Sequence, residues 1–280
     1  MTGIRVTRRA TLLLYGAGTA LALVWLVPMM SAFMISVIPL SQTRKGWWQA
    51  GLSDLTFGNY VRAWEEGLSS YVVNSFIITI GAVALSIVIG SAAAYAFSRL
   101  RFRFKETAYF LLITTMIVPV QIILVPLLPW FRTLHLTGDV TQYLGIVLVH
   151  VAFGAGWAIF MLGGFMAEVP EEILEAARID GASHYRVFRN VMLPLTLPGI
   201  ASFALIDFVF VWNDLLLGLT LLDRDHQPLT VGLANLQAPH LSQEDLVSAG
   251  SIMAILPPLL LFALLNRYYV RGLFAGGLKG

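Results

Sequence analysis

The chain has 280 residues, of which 58% are hydrophobic and 12% charged, and its mean hydropathy is +0.77. Soluble domains are about 45–50% apolar and about 25% charged, so the composition excludes an ordinary soluble globule, and it is too apolar for a disordered chain. The formal net charge is only +2 without a dense basic stripe, which argues against a nucleic-acid partner, and the lack of cysteine excludes disulfides and cysteine-ligated zinc. The sequence therefore predicts an integral membrane protein in contact with lipid.

Six apolar runs are long enough to cross a bilayer, since one helical span needs about 20 residues. Such runs must satisfy their backbone hydrogen bonds internally, and they lack the alternation of barrel strands. We therefore predict an all-α fold, a polytopic bundle of six transmembrane helices in a single membrane domain over residues 1–280. The first run is too long for the core of a signal peptide, so we interpret it as a retained anchor. The predicted spans are 12–38, 72–97, 108–128, 143–166, 197–222 and 247–265.

The distribution of basic residues predicts the orientation of these spans. With the N-terminus inside, 13 of the 18 Lys and Arg residues lie on the cytoplasmic side, and the positive-inside rule favours this arrangement. Both termini are then cytoplasmic, residues 39–70 face outward and residues 167–196 face inward. The predicted cytoplasmic set is Arg5, Arg8, Arg9, Arg99, Arg101, Arg103, Lys105, Arg178, Arg186, Arg189, Arg267, Arg271 and Lys279.

The third and fourth runs carry prolines and glycines that bear on packing. Prolines in and after the third run predict a kink, which frees carbonyl groups that can line a polar path. Glycines in the fourth run favour close helix packing over a nucleotide-binding loop, because they lie within an apolar helix. The prolines are Pro119, Pro126 and Pro129, and the glycines are Gly145, Gly154, Gly156, Gly163 and Gly164.

The cytoplasmic segment 167–196 has the signals of a helix–turn–helix elbow. Pro170 fits a first helical position, and Gly181 fits a left-handed C-terminal stop. Ser183 can cap a second helix running to about Met192, which Pro194 and Pro198 would end. On the first helix, one face is predicted to hold Ile173, Ala176, Ala177 and Asp180, whose small residues let another surface approach. A loop without any partner is the alternative that these signals leave open.

The fifth run contains an ionisable residue near the middle of the membrane. Asp207 lies about ten residues into the span, about 15 Å deep at 1.5 Å per residue. Phe203, Asp207, Phe210 and Asp214 follow helical spacing on one face, and aromatic rings beside hydrogen-bond acceptors suit a polyhydroxylated solute. The alternative is that Asp207 bonds a neighbouring helix and only stabilises the bundle.

Several motifs of catalysis and metal binding are absent from the sequence. No lysine lies in a phosphate-binding P-loop, and there is no H-E-x-x-H or G-x-S-x-G motif. The five histidines are scattered without the spacing of metal ligands. We therefore predict no catalytic residue, no metal site and no cofactor in this chain, which would not be an enzyme; any ATP hydrolysis must come from another polypeptide.

The elbow residues resemble a known motif. Glu175-Ala176-Ala177, then Gly181, then Leu193-Pro194 resembles the EAA loop of ABC-importer permeases, with Val191 in place of the usual isoleucine. Trp212-Asn213-Asp214 and the stretch Ala94-Tyr95-Ala96-Phe97-Ser98-Arg99 are similar to the carbohydrate-importer branch of these permeases, which includes the permeases for maltose. The resemblance extends over nearly the whole chain from about residue 57.

This resemblance implies a type I ABC-importer permease of a prokaryotic cytoplasmic (inner) membrane, with a core module over residues 70–267. Its implied partners are a second homologous permease, two ATPase subunits that bind Mg²⁺ and ATP, and an extracytoplasmic solute-binding protein. The ATPase-coupling residues would be Glu175, Ala176, Ala177, Asp180, Gly181 and Pro194. The candidate translocation path comprises Phe203, Asp207, Phe210, Trp212, Asn213 and Asp214.

Two other classes of protein remain as alternatives. A self-sufficient secondary transporter would use Asp207 as a proton or sodium site, but it predicts paired broken helices that the sequence lacks. A membrane-embedded enzyme would need a catalytic constellation that the missing motifs argue against. The leading prediction is a permease that imports a carbohydrate or related polyol.

Overall fold

The structure is a computed structural model that describes residues 8–237 and 243–277, with side chains for 11–237 and 243–268. Within these ranges the chain forms helices joined by turns and loops, and no strand occurs there. The α-helices are α1 Arg8–Ser36, α2 Leu40–Thr43, α3 Gly58–Ala63, α4 Ser69–Arg99, α5 Lys105–Thr115, α6 Val120–Thr133, α7 Thr141–Ala167, α8 Glu171–Ile179, α9 His184–Val187, α10 Leu193–Leu195, α11 Leu197–Trp212, α12 Leu216–Leu221, α13 Leu229–Leu236 and α14 Glu244–Gly277. Short 3₁₀ turns span Trp47–Gln49, Leu52–Asp54 and Arg224–His226, and π turns span Trp64–Leu68 and Phe188–Met192.

The predicted all-α membrane fold is confirmed. Four helices are long and apolar enough to cross a membrane, and the number rises to six if each of two bent helix pairs is one span. One bent pair is α5 with α6, at 97°, and the other joins His184–Leu195 to α11, at 74°. The predicted fifth span is therefore shorter than expected, because α11 ends at Trp212 and α12 is a separate helix.

The bend in the third predicted span lies at Pro119, one of the three prolines in and just after that span. Pro119 is the N-cap of α6 in an extended conformation, so the chain turns there between α5 and α6. The helical region is disfavoured for the residue before a proline, so one continuous helix through Val118 into α6 is disfavoured. Pro126 and Pro129 instead lie inside α6.

The chain divides into two compact units, and we describe each by itself. One comprises Met1–Leu68 and Leu233–Met253, and the other comprises Ser69–Gly232 and Ala254–Gly280. In the first unit, Asn59 Nδ2 donates to the carbonyls of Ser36 and Ile38 at 3.1 and 2.7 Å. Arg62 pairs with the fully buried Asp245 at 3.3 Å. These contacts fix the segment after α1 and the start of α14 within that unit.

The second unit has its core where α4, α7 and α11 pack. A Cβ at Gly145 would lie 2.7 Å from the Phe131 ring, one at Gly154 would lie 2.7 Å from Ser86 Oγ, and one at Gly156 would lie 3.2 Å from Met116. Close packing is thus confirmed at these three glycines.

Within this chain, the same expectation is not met at Gly163 and Gly164. Apart from the nearby backbone of α7 and the adjacent residues, no atom of the described residues lies within 4 Å of a Cβ built at either position, so both glycines border open space in this chain. The apolar character of the run predicted its helix, but not which of its faces is covered by a neighbour.

The length of α7 separates two ends of this unit. Its 27 residues extend over about 40 Å at 1.5 Å per residue, enough to cross a hydrocarbon core of about 30 Å. At its start, Gln142 bonds Asp223 in the segment after α12, and at its end the Met166 carbonyl accepts from Arg99. The elbow and the segment around Asp223 therefore lie at opposite ends.

Candidate functional site

The first elbow helix, α8, has well-defined ends. Glu171 and Glu172 lie in its first turn and Arg178 in its last, the charge distribution that complements the helix dipole. Pro170 is the N-cap in an extended conformation, so the expectation that it occupies the first helical position is wrong by one residue. Gly181 has φ +82°, as predicted, and the amide of the following Ala182 donates to the Ala177 carbonyl at 3.0 Å.

One side of α8 packs on the core of the second unit, to which it belongs, and the other side is exposed. Leu174 is fully buried and Ala177 packs against the same core, whereas Glu175 and Ala176 are exposed. Ile179 is 86% exposed, an unusual degree for a large apolar side chain. The face predicted for a partner surface is therefore wrong at one residue. Ala177 packs inward, while Ile173, Ala176 and Asp180 remain exposed.

The second elbow helix begins as predicted but ends later. Ser183 Oγ accepts a hydrogen bond from the Arg186 amide at 3.4 Å, which confirms the cap. Pro194 does not end the helix, because it lies inside α10, which continues to Leu195. A π turn precedes it, in which the Leu193 amide donates to Phe188 five residues back, so the hydrogen-bond pattern has already shifted where the proline lacks a donor.

Arg99, at the end of α4, holds the elbow to the transmembrane helices. Its Nε donates to the Met166 carbonyl at 3.2 Å, and its Nη2 donates to the Met166, Ala167 and Val169 carbonyls. Its Nη1 donates to Glu171 Oε2 at 2.8 Å. The Arg99 side chain is only 11% exposed, so its bonds to the Met166 and Val169 carbonyls are partly shielded from water, while its bond to Glu171 lies at the surface.

This arrangement satisfies backbone groups that a helix leaves unpaired. The last carbonyls of α7 have no partner within their own helix, and a cation at that end also complements the helix dipole. Glu171 then connects Arg99 to the first turn of α8, and its other oxygen accepts from Arg178 at 3.1 Å. One guanidinium thus joins α4, α7 and α8. Sequence reasoning gave Arg99 no such role, because its partners come from two other segments.

A buried apolar cluster continues from the elbow into the membrane-spanning helices. It joins Leu174 and Val187 of the elbow to Leu162 of α7 and to Phe203 of α11. Close-packed cores transmit displacement because they have little free volume. The elbow is therefore mechanically continuous with a residue of the central cleft described next.

The central cleft has a volume of about 430 Å³ and contains three of the residues predicted to share a face. Phe203, Asp207 and Phe210 all line it, and they stand one or two turns apart on α11. The structure thus brings this part of the predicted path together. The other lining residues are Met116, Val118, Val120, Phe153, Gly154, Trp157, Phe160, Met161 and Ile206.

Asp207 is the acidic side chain of the central cleft. It is 5% exposed, and its Oδ2 has no hydrogen-bond partner among the described residues. The buried Ser86 hydroxyl lies beside Asp207, and both side chains border Gly154. Buried polar groups are normally paired, so the unpaired Asp207 Oδ2 at this cleft is suited to a ligand whose hydroxyl groups donate hydrogen bonds.

Three other residues of the predicted path do not line the central cleft. Trp212 is buried and donates from Nε1 to the Ala254 carbonyl at 2.9 Å. Asn213 donates to the Val209 carbonyl at 2.8 Å. Asp214 accepts from the amides of Leu217 and Gly218, which caps α12. The helical spacing that predicted Asp214 fails because α11 ends before it.

The opposite end of α7 carries a hydrogen-bonded polar cluster. Gln142 donates to Asp223 Oδ2 at 3.0 Å, and the Asp223 amide donates back to Gln142 Oε1 at 3.1 Å. The hydrogen bond from Gln142 is the main cause that lowers the pKa of the Asp223 carboxyl below its usual value. Tyr143 donates to Asn74 at 2.6 Å, and Asn74 donates to the Asp225 and Gln227 carbonyls. The segment after α12 is thereby held on α4 and α7.

Comparison with known proteins matches residues 86–274 to the family described as binding-protein-dependent transport system inner membrane component. The chain is 34% identical over 268 residues to the osmoprotective compounds uptake permease protein GgtD of Synechocystis, covering 92% of this chain and 89% of that one. It is also 34% identical over 231 residues to the melibiose/raffinose/stachyose import permease protein MelC of Bacillus subtilis, covering 81% and 83%.

A solved structure shares the fold. The chain matches one chain of a bacterial ABC transporter involved in the import of the acidic polysaccharide alginate, with a TM-score of 0.78 and 23% sequence identity. The match covers 96% of this chain and 99% of that chain. The two chains therefore share their fold over nearly their whole length.

Proposed function

We propose a function from the premise that this chain belongs to the family of binding-protein-dependent transport system inner membrane components, the permeases of ABC importers. The chain is the permease subunit that carries a solute across the inner membrane, and the solute is a carbohydrate or a related polyol. The uptake of osmoprotective compounds and of melibiose, raffinose and stachyose by similar permeases supports this solute class.

One observation carries the coupling role of the chain. The elbow presents Glu175, Ala176 and Ile179 to the solvent on a short helix that is fixed to the membrane helices by Arg99. An exposed apolar residue beside small residues is suited to a groove on a partner protein. We infer that this surface, with Asp180, Gly181 and Pro194, docks on an ATPase subunit.

The proposed partners are those of a binding-protein-dependent transport system, the family to which this chain belongs. ATP would be bound with Mg²⁺ by two separate ATPase subunits, while a second, homologous permease would complete the pore. An extracytoplasmic binding protein would deliver the solute at the end of α7 that carries Asp223. In this orientation both termini and the elbow are cytoplasmic, and residues 70–267 form the core module.

Movement of the elbow would change access to the central cleft. Closure of the ATPase pair displaces α8 as a rigid body, because Arg99 prevents it from moving independently of α4 and α7. The displacement reaches Phe203 through the buried cluster that contains Leu174. Asp207 would accept hydrogen bonds from solute hydroxyls while the solute passes between the aromatic rings.

Co-purification and transport test this proposal. The tagged chain, extracted from the membrane, is expected to retain an ATPase, and the reconstituted complex is expected to take up solute only with ATP and the binding protein. Solute uptake by the purified chain alone, driven by an ion gradient, would overturn the proposal and favour the secondary transporter. An unrelated hexose analogue that the binding protein does not bind serves as the control.

A further inference from the structure

A second cleft, which we call the basic cleft, lies at the elbow end of the second unit. It has a volume of about 590 Å³ and is lined by residues from α4, α5 and α7. Its lining includes Phe97, Lys105, Tyr109, Ile159, Gly163 and Gly164. Neither the importer function nor the central cleft assigns a role to it.

The long wall of the basic cleft is an open apolar groove. Gly163 and Gly164 have no described atom within 4 Å of a built Cβ, so no neighbouring helix fills this part of α7. The rings of Phe97 and Tyr109 lie 5.7 Å apart on the facing wall. From Ile159 to Gly164 the groove follows α7 for about 8 Å at 1.5 Å per residue, within one leaflet of about 15 Å.

The mouth of the basic cleft is cationic. Lys105 and Glu106 line both the cleft and an adjoining hollow of about 410 Å³, where Arg101 joins them. Lys105 and Arg101 have no carboxylate within ion-pair distance among the described residues, and the same holds for Arg103. Even with Glu106 included, the mouth has an excess of positive charge.

Two aromatic side chains mark the mouth as a membrane interface. Phe102 and Phe104 are 43% and 66% exposed, and they alternate with the basic residues. The Arg103 guanidinium lies 4.6 Å from the centre of the Phe104 ring. At the boundary between headgroups and acyl chains, exposed phenyl rings can contact the acyl chains while the neighbouring cations stay with the headgroups.

The ligand must therefore combine a negative head with an apolar tail. A soluble anion has nothing to place in the groove, and a neutral lipid does not use the uncompensated cations at the mouth. Basic pockets between transmembrane helices on the cytoplasmic side are suited to acidic headgroups. Lys105 Nζ donates to the carbonyl of Leu100 at 3.3 Å, next to Arg99, which holds the elbow, so the mouth opens on the elbow side.

We propose that the basic cleft binds one acidic phospholipid of the cytoplasmic leaflet. The phosphate contacts Arg101 and Lys105, and one acyl chain lies along Gly163 and Gly164. This inference goes beyond the importer function and depends only on the membrane placement of the chain. A bound lipid at this position would fill the open side of α7 next to the elbow.

Lipid retention by the assembled complex tests the proposal. The complex is equilibrated in mixed micelles of phosphatidylglycerol and phosphatidylcholine, and the lipid that remains after gel filtration is measured by mass spectrometry. The double variant Arg101→Gln with Lys105→Gln is expected to lose about tenfold in phosphatidylglycerol retention. Its matched control, Arg132→Gln with Arg224→Gln, removes the same charge elsewhere and is expected to behave as the unaltered complex.

A second variant fills the groove without changing the charge. Gly163→Leu projects a side chain into the open space and is expected to displace phosphatidylglycerol, whereas Gly16→Leu, also in open space, is not. Retention equal to that of the unaltered complex in either test variant would overturn the proposal, as would equal retention of phosphatidylcholine.

Loss of assembly has a defined meaning in this experiment. If the double variant does not assemble, the lipid retention of Gly163→Leu alone decides the proposal. If Gly163→Leu does not assemble, a protein partner covers the groove and the lipid proposal is wrong. Retention is measured without ATP or solute, so a failure of the importer function leaves this result unaffected.

Discussion

Asp207 provides a test of the central cleft at the scale of one residue. Asp207→Asn keeps the size of the side chain but removes its negative charge and one of its acceptors. If Asp207 bonds solute hydroxyls, uptake is expected to fall about tenfold, or the preference among solutes to change, while the complex still assembles. Uptake of several carbohydrates and polyols by reconstituted complex measures this. Normal uptake with normal preference would leave Asp207 a structural role at most.

Gly154 tests the same site from the neighbouring helix. A Cβ at Gly154 would lie 2.7 Å from Ser86 Oγ and 3.1 Å from Asp207 Oδ1. Gly154→Ala is therefore expected to displace Asp207 and to reduce uptake, with partial loss of thermal stability because the helices must separate. Gly16→Ala is the control, since it adds the same methyl group to a helical glycine in open space outside both clefts. Equal uptake and equal melting temperature in the two variants would contradict this geometry.

The central cleft was predictable from the sequence only as far as its helix continues. Phe203, Asp207 and Phe210 meet in the cleft because helical spacing places them on one side of α11. Asp214 has the same spacing but caps α12, since the helix ends at Trp212. Ser86 and Gly154 come from other helices, and spacing within one segment carries no information on that pairing.

At the scale of an element, the attachment of α8 is the property that matters. Arg99→Gln removes the charge that joins the α7 carbonyls to Glu171, and the loss of a largely buried charged donor costs about 1–3 kcal/mol. We expect α8 to move independently of α7, so that more ATP is hydrolysed for each solute imported. The ratio of hydrolysis to uptake in vesicles measures this effect.

Arg178→Gln is the matched control for that experiment. Arg178 also bonds Glu171, but both side chains are partly exposed, and such pairs contribute only about 0–1 kcal/mol. The ratio is expected to remain close to that of the unaltered complex. If both variants raised the ratio equally, the attachment by Arg99 would not be the cause.

The turn and the N-cap of the elbow could be predicted from the sequence, whereas its attachment to α4 and α7 through Arg99 could not. Gly181 and Ser183 are local signals, since a positive φ and an N-cap depend on the residue itself and its neighbours. The predicted end of the second elbow helix was wrong because the π turn before Pro194 has no clear local signal in the sequence. The role of Arg99 depends on carbonyls that are 67–70 residues away along the chain.

At the scale of the whole molecule, the orientation in the membrane is testable because the chain has no cysteine. Arg224 and Ser183 are both exposed and lie at opposite ends of α7 in the second unit. Arg224→Cys is expected to react with a membrane-impermeant thiol reagent applied from outside, in spheroplasts if an outer membrane is present. Ser183→Cys is expected to react only after the membrane is opened. Reversed labelling would show that the proposed orientation is wrong.

Coupling through the elbow is the central claim, and two substitutions outside the central cleft address it. Gly181 has φ +82°, which valine strongly disfavours and asparagine tolerates. Glu175 is exposed and has no ion-pair partner among the described side chains, so Glu175→Lys changes the docking surface rather than the fold. None of these changes affects the capture of solute by a separate binding protein.

The most direct measurement is ATP hydrolysis stimulated by the binding protein, recorded together with solute uptake in reconstituted vesicles. We predict that Gly181→Val and Glu175→Lys abolish uptake and stimulated hydrolysis while the permease stays in the membrane, and that Gly181→Asn retains both. Normal uptake and normal stimulated hydrolysis in Gly181→Val and Glu175→Lys would contradict the account.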